Sequence, residues 1–155
     1  MTEMVGSVQS FFNEISFEQN ISLIRHDGIV LYSNEKNDFK KQTVGALVSG
    51  VWQAAIALGN LSSKEDLYEF RFSFDTSENG VYILPIRLNN KEYYLSLIYN
   101  GIKNPAVLKN KLRNIRLNLI GYWADQNVSS EKSEFLFQNI SDKEMDNMFQ
   151  RMGVK

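Results

Sequence analysis

Residues Gln42–Ser63 read QTVGALVSGVWQAAIALGNLSS, 22 residues in succession without a charge. A run of this length raises the question of a membrane span, which needs about 20 predominantly apolar residues. Gln53, Asn60, three glycines and four Ser or Thr residues interrupt it, and it lies in the middle of an otherwise mixed chain. With its polar ends trimmed the stretch is too short to span, and no membrane insertion is expected. On a helical wheel Val44, Leu47, Val48, Val51, Ala55 and Leu58 share one face, which predicts a core stripe. The opposite face carries Ala46, Ser49, Gly50, Gln53 and Ala57, where a solvent-facing helix would carry Lys and Glu. A helix without charge all round is usually buried all round, and small residues let two helix backbones approach closely. The second partner is either another helix of the same chain or a second copy of this one. Two-fold homodimers are the commonest assemblies, so Ala46, Ser49, Gly50, Gln53 and Ala57 are the expected dimer interface.

Upstream, Met1 to about Phe17 has Val5, Val8, Phe11, Phe12 and Ile15 at helical spacing, as for a helix covering a sheet. Ile21–Arg25 and Ile29–Tyr32 then flank His26-Asp27-Gly28, a hairpin whose Asp-Gly supplies the positive φ of a tight turn. His26 reads as a turn residue. Ser33–Lys41 is polar and is expected to be a loop.

Downstream, Leu67–Phe74 alternates, with Tyr68, Phe70, Phe72 and Phe74 on one face and Glu69, Arg71 and Ser73 on the other. Val81–Ile86 and Tyr93–Tyr99 are apolar on both faces, so both read as central strands. Pro85 cannot donate to a ladder and points to a strand end, a bulge or an edge. Five antiparallel strands with two apolar faces need helices on both sides. Asn104-Pro105 opens a helix to about Asp125, with Leu108, Leu112, Ile115, Leu119 and Tyr122 inward. Lys109, Arg113 and Arg116 on another of its faces read as a solvated surface, or as a site for an acidic or phosphate-bearing partner.

Val128–Ser133 resembles a linker. Beyond it, Ser141-x-x-Glu144 forms a capping box and Met145, Met148, Phe149 and Met152 follow at i, i+3, i+4 and i+7. A helix of about 141–152 is marginal alone. Its Met-rich stripe therefore needs a surface, on its own domain, on a dimer mate or on another protein. The expected division is a domain over 1–127 and a C-terminal extension over 128–155.

The chain has 155 residues, 43% hydrophobic and 23% charged, with a formal net charge of −1. Nothing in that balance calls for nucleic acid. With no cysteine and one histidine, His26, thiolate sites and His-rich metal sites are excluded. There is no P-loop and no G-x-G-x-x-G. The expectation is a protein that is not an enzyme, without cofactor or metal. Glu3 stands where a signal peptide would be basic, and a cytoplasmic location is expected.

The order helix, two strands, helix, three strands, helix resembles the Roadblock family of dynein light chain and bacterial polarity proteins. Leu23-Ile-Arg-His-Asp-Gly-Ile-Val-Leu31, the small-residue helix after it, Leu84-Pro-Ile86 and Tyr93-Tyr-Leu-Ser-Leu-Ile98 carry the likeness, over about residues 5 to 125. It implies an α+β, profilin-like or longin-like fold: a five-stranded antiparallel sheet between helices. It implies a homodimer, or a dimer with a second Roadblock protein, with the second helix at the seam. It also implies a small Ras-like GTPase as partner, regulated as by the bacterial gliding and polarity proteins, and no catalytic residues of its own. Arg71 and Arg87 lie in or beside strands and are poor candidates for a supplied arginine finger. The competing readings are a dynein-light-chain-like adaptor that displays Met145, Met148, Phe149 and Met152 to another protein, and a small-molecule sensor domain.

Overall fold

The computed structural model describes residues 2–62 and 70–138. The order of elements is α1 (Thr2–Asn13), β1 (Asn20–Arg25), β2 (Val30–Ser33), α2 (Asp38–Ser62), β3 (Phe72–Asp75), β4 (Gly80–Leu88), β5 (Lys91–Tyr99) and α3 (Pro105–Gln138). The five strands form one antiparallel sheet in the order β2-β1-β5-β4-β3. The expected α+β fold class is therefore observed. The chain divides into two units, Met1–Ile120 and Gly121–Lys155, and the sheet belongs to the first.

Turn chemistry sets the register. At Asp27-Gly28, Gly28 takes φ 89°. Asp27 accepts hydrogen bonds from the Arg25 guanidinium and, at 3.3 Å, from the Ile29 N–H. Between β4 and β5, Asn89 and Asn90 have φ of 54° and 61°, the two successive positive values that a two-residue type I′ turn requires. Pro85 lies inside β4, opposite Tyr94 of β5. Among the described residues, pairing with β3 ends at Ile83, so Pro85 falls where β4 is paired with β5 alone.

Strand alternation assigns the two faces. Ile24, Ile83 and Tyr94 cluster with Val48 and Trp52 of α2. On the other face Phe12 of α1 stacks on Tyr32 at 4.1 Å between ring centroids. Arg113 of α3 reaches Tyr82 there, donating to its hydroxyl at 3.1 Å. Leu112, Ile115 and Leu119 of α3 are buried, as their spacing predicts.

Helix α2 begins four residues before its uncharged run, because Asn37 caps it: its Oδ1 accepts the Lys40 N–H at 3.0 Å. Part of the polar stretch expected as loop is thus helix. Two glycines let this helix lie close on the β1–β2 hairpin. A Cβ on Gly45 would collide with the Gly28 carbonyl oxygen and stand 2.7 Å from Val30 Cγ2.

Helix α3 does not stop near Asp125; its backbone is helical to Gln138, through the Val128–Ser133 segment expected as linker. The expected helix at 141–152, with Met145, Met148, Phe149 and Met152, lies outside the described residues, as does the Leu67–Glu69 portion of the third strand.

Candidate interaction surface

Helix α2 has a sheet-facing side of Val44, Gly45, Val48, Ser49, Trp52 and Ile56. Trp52 is 4% exposed, and its ring lies 5.6 Å from that of Tyr94. Burying each large side chain of this kind contributes about 1.5–3 kcal/mol. This corrects the helical wheel. At about 100° per residue, the observed inward face is rotated by roughly a quarter turn from the expected one. Leu47, Val51 and Leu58, expected in the core, are exposed, and Trp52 takes the central place.

The five residues expected at the seam separate accordingly. Ala46, Gly50 and Ala57 are exposed, and among the described residues no other element stands within 4 Å of a Cβ built on Gly50. Ser49 is buried and donates through Oγ to the His26 carbonyl at 2.8 Å. Gln53 is exposed but donates from Nε2 to the same carbonyl at 3.3 Å and to Ser49 Oγ at 3.1 Å. Ser49 and Gln53 hold the hairpin tip to the helix. His26 takes part through its backbone, in keeping with its reading as a turn residue.

The outward face of α2 is Leu47, Gly50, Val51, Ala54, Ala57, Leu58 and Leu61, with Leu58 69% and Leu61 85% exposed. By length and composition alone α2 could cross a membrane; its inner side is packed on the sheet. The outward face continues into a groove of about 440 Å³ between α2 and β3–β4. Leu47, Val51, Phe72, Phe74, Val81 and Ile98 contribute to its wholly apolar lining, and Phe74 is 75% exposed. Among the described residues, α2 lies mainly over β1, β2 and β5, and the groove lies beside it on the β3–β4 half of the sheet face. Large contiguous apolar surfaces of this type mark interaction sites.

The charged groups of the fold are placed differently. The Arg25 guanidinium holds the Asp27 carboxyl down at about 2, against an ordinary 3.8. Lys109, Ser73 and Tyr99 all donate to the carboxylate of Asp75, which holds it below the ordinary range; Lys109 lies nearest. Lys109 and Arg113 therefore tie α3 to the margin of the sheet, where the Lys109 contacts remain open to solvent. Among the described residues no group of three His, Asp or Glu side chains is placed to hold a metal ion.

No protein-family model matches the chain, and no curated protein matches it. Solved structures do. MglB of Myxococcus xanthus superposes with a TM-score of 0.59 at 12% identity, over 81% of this chain and 98% of that one. A Roadblock/LC7 domain from Streptomyces avermitilis gives 0.57 at 13% identity, over 74% and 92%. The gliding protein MglB of Thermus thermophilus gives 0.54 at 17% identity, over 78% and 88%. What is shared at these identities is the fold: the chain is a Roadblock-like domain in architecture.

Proposed function

We propose that this chain is a self-associating, non-catalytic module that regulates or scaffolds a small Ras-like GTPase in the cytoplasm. One observation carries the self-association: the uncharged outward face of α2, continuous with the apolar groove over β3–β4. The arrangement of that face favours a second copy over an unrelated partner. Its positions 47, 50, 51, 54, 57, 58 and 61 are symmetric about Ala54. An antiparallel pair of α2 helices crossing at Ala54 sets Leu47 against Leu61 of a second copy, Val51 against Ala57, and Leu58 against Gly50. The last pairing places a large side chain over a position with open space. Self-complementarity of this kind is what a two-fold interface requires.

The GTPase is supported by the fold shared with MglB and by what the Roadblock resemblance implies. A dimer of this form would act indirectly, by ordering the GTPase's own switch loops. The adaptor reading shares the dimer and differs in its use of residues 128–155.

The chain has no cysteine of its own, so Ala54→Cys gives a clean test of the seam. Mild oxidation is expected to yield a disulfide-linked dimer, because two Cα atoms at a close two-fold crossing fall within about 4.4–6.8 Å. A protein that stays monomeric under oxidation and on concentration removes the proposed seam. For the GTPase, stimulated GTP hydrolysis or nucleotide-dependent binding with small GTPases of the same genome is expected. Binding to none of them in either nucleotide state leaves the adaptor reading. Loss of a different partner on deletion of Val128–Lys155 then identifies the extension as its binding arm.

A further inference from the structure

Strand β3 is short for the duty the groove gives it. Four residues, Phe72–Asp75, pair with β4 on one side only. Phe72 and Phe74 point toward α2 and line the groove. Ser73 and Asp75, which alternate with them, point to the opposite face. There Lys109 of α3 donates to the carboxylate Oδ2 of Asp75 and, at 2.8 Å, to Ser73 Oγ. The same carboxylate oxygen accepts from Ser73 Oγ at 3.1 Å and from the Tyr99 hydroxyl of β5 at 3.1 Å. The Lys109 ammonium also stands 5.3 Å from the centre of the Tyr82 ring of β4. Gly80 is part of the arrangement, since a Cβ there would come 2.6 Å from the Tyr99 hydroxyl and 2.5 Å from Asp75 Cβ. Three donors from three elements thus meet on one side chain at the end of the edge strand.

We propose that Asp75 and Lys109 form a positioning clamp for self-association: from the far face of the sheet they hold β3 so that Phe72 and Phe74 are preset for the second copy. The inference rests on the seam proposed above, and neither clamp residue belongs to that seam. An edge strand with one neighbour frays readily. A partner that must first order it associates more weakly, because the ordering cost is deducted from the binding free energy. Tying the strand down beforehand removes that cost. The chain therefore regulates its open face through residues that never touch what docks there.

The test compares wild type, Asp75→Asn, Lys109→Gln and the double variant in the full-length protein. Lys91→Gln, at the exposed start of β5, serves as control. Dimer dissociation constants come from sedimentation equilibrium, and amide hydrogen exchange reports on β3 separately from β1 and β5. Each single variant is expected to weaken the dimer about ten-fold, as for loss of one charge-assisted hydrogen bond. The double variant is expected to be no worse than either single one, because both break the same contact. Exchange over Phe72–Asp75 should quicken while β1 and β5 keep their protection. Unchanged dissociation constants in a wild type that does dimerise overturn the clamp, whether or not β3 exchange changes. Additive effects of the two substitutions overturn it as well. A wild type that is monomeric at every concentration overturns the seam first, and the coupling with it.

Discussion

On the α3 side of the sheet, polar groups that reach inward find partners: Lys109 meets Asp75 and Ser73, and Arg113 meets Tyr82. On the α2 side, Ile24, Ile83, Tyr94, Val48 and Trp52 close a small apolar core, and beyond it toward β3 the described residues leave an apolar groove. Among the described residues, one face is thus tied to a helix by polar contacts, and the other ends in an apolar groove. The difference teaches where to look for function in this fold. An apolar surface that no described residue covers is a statement about company.

The sharpest way to break this comparison is to attack α2 on its two sides separately. Trp52→Ala removes the largest side chain of the closed side and is expected to cost about 3–5 kcal/mol in denaturant-induced unfolding. If it costs little, the inner face has been assigned to the wrong side of the helix. Gly50→Glu lies on the open side, where folding of the single chain has nothing to lose. It is expected to leave the circular dichroism spectrum unchanged and to weaken self-association at least about a hundred-fold, since it places an unpaired charge in an apolar seam. A Gly50→Glu protein that dimerises as tightly as wild type would free this face for another role.

The smallest effect concerns the rim, where Asp27 and Arg25 brace the hairpin tip that α2 grips through the His26 carbonyl. The Asp27 carboxyl is held at about 2 in the folded protein, below its ordinary 3.8. Its bracing is therefore fully present above about pH 4 and is lost as the pH falls through about 2. Arg25→Gln should move the carboxyl titration, followed by carbon NMR, back toward the ordinary value. An unmoved midpoint would show that another group holds Asp27.

The strands and turns were legible because each rests on local chemistry. Asp27-Gly28 and Asn89-Asn90 declare positive φ, and the alternation of Phe72, Ser73 and Phe74 declares a two-sided strand. Helix α2 was half legible. Absence of charge identified it as unusual, and the same absence removed the contrast that tells one face from another. Val, Leu and Ala occur on both sides, so nothing in the pattern weighed Trp52 and Gly45 above Leu47 and Leu58. What separates them is long-range: the Gly28 carbonyl lies against Gly45, and Tyr94 lies against Trp52. The partners of the α3 cations were not legible for a related reason. Lys109 finds its partners at Ser73 and Asp75, more than 30 residues away, where helical spacing carries no information.

Pro85 has a further consequence. Beyond Ile83, β4 pairs with no strand on its β3 side among the described residues, and bare edges invite indiscriminate strand addition and fibril growth. A proline there lacks the N–H that an incoming strand would bind. Among the described residues the open margin of the sheet is therefore divided: β3 has a free edge, and the segment of β4 at Pro85 cannot donate to an incoming strand.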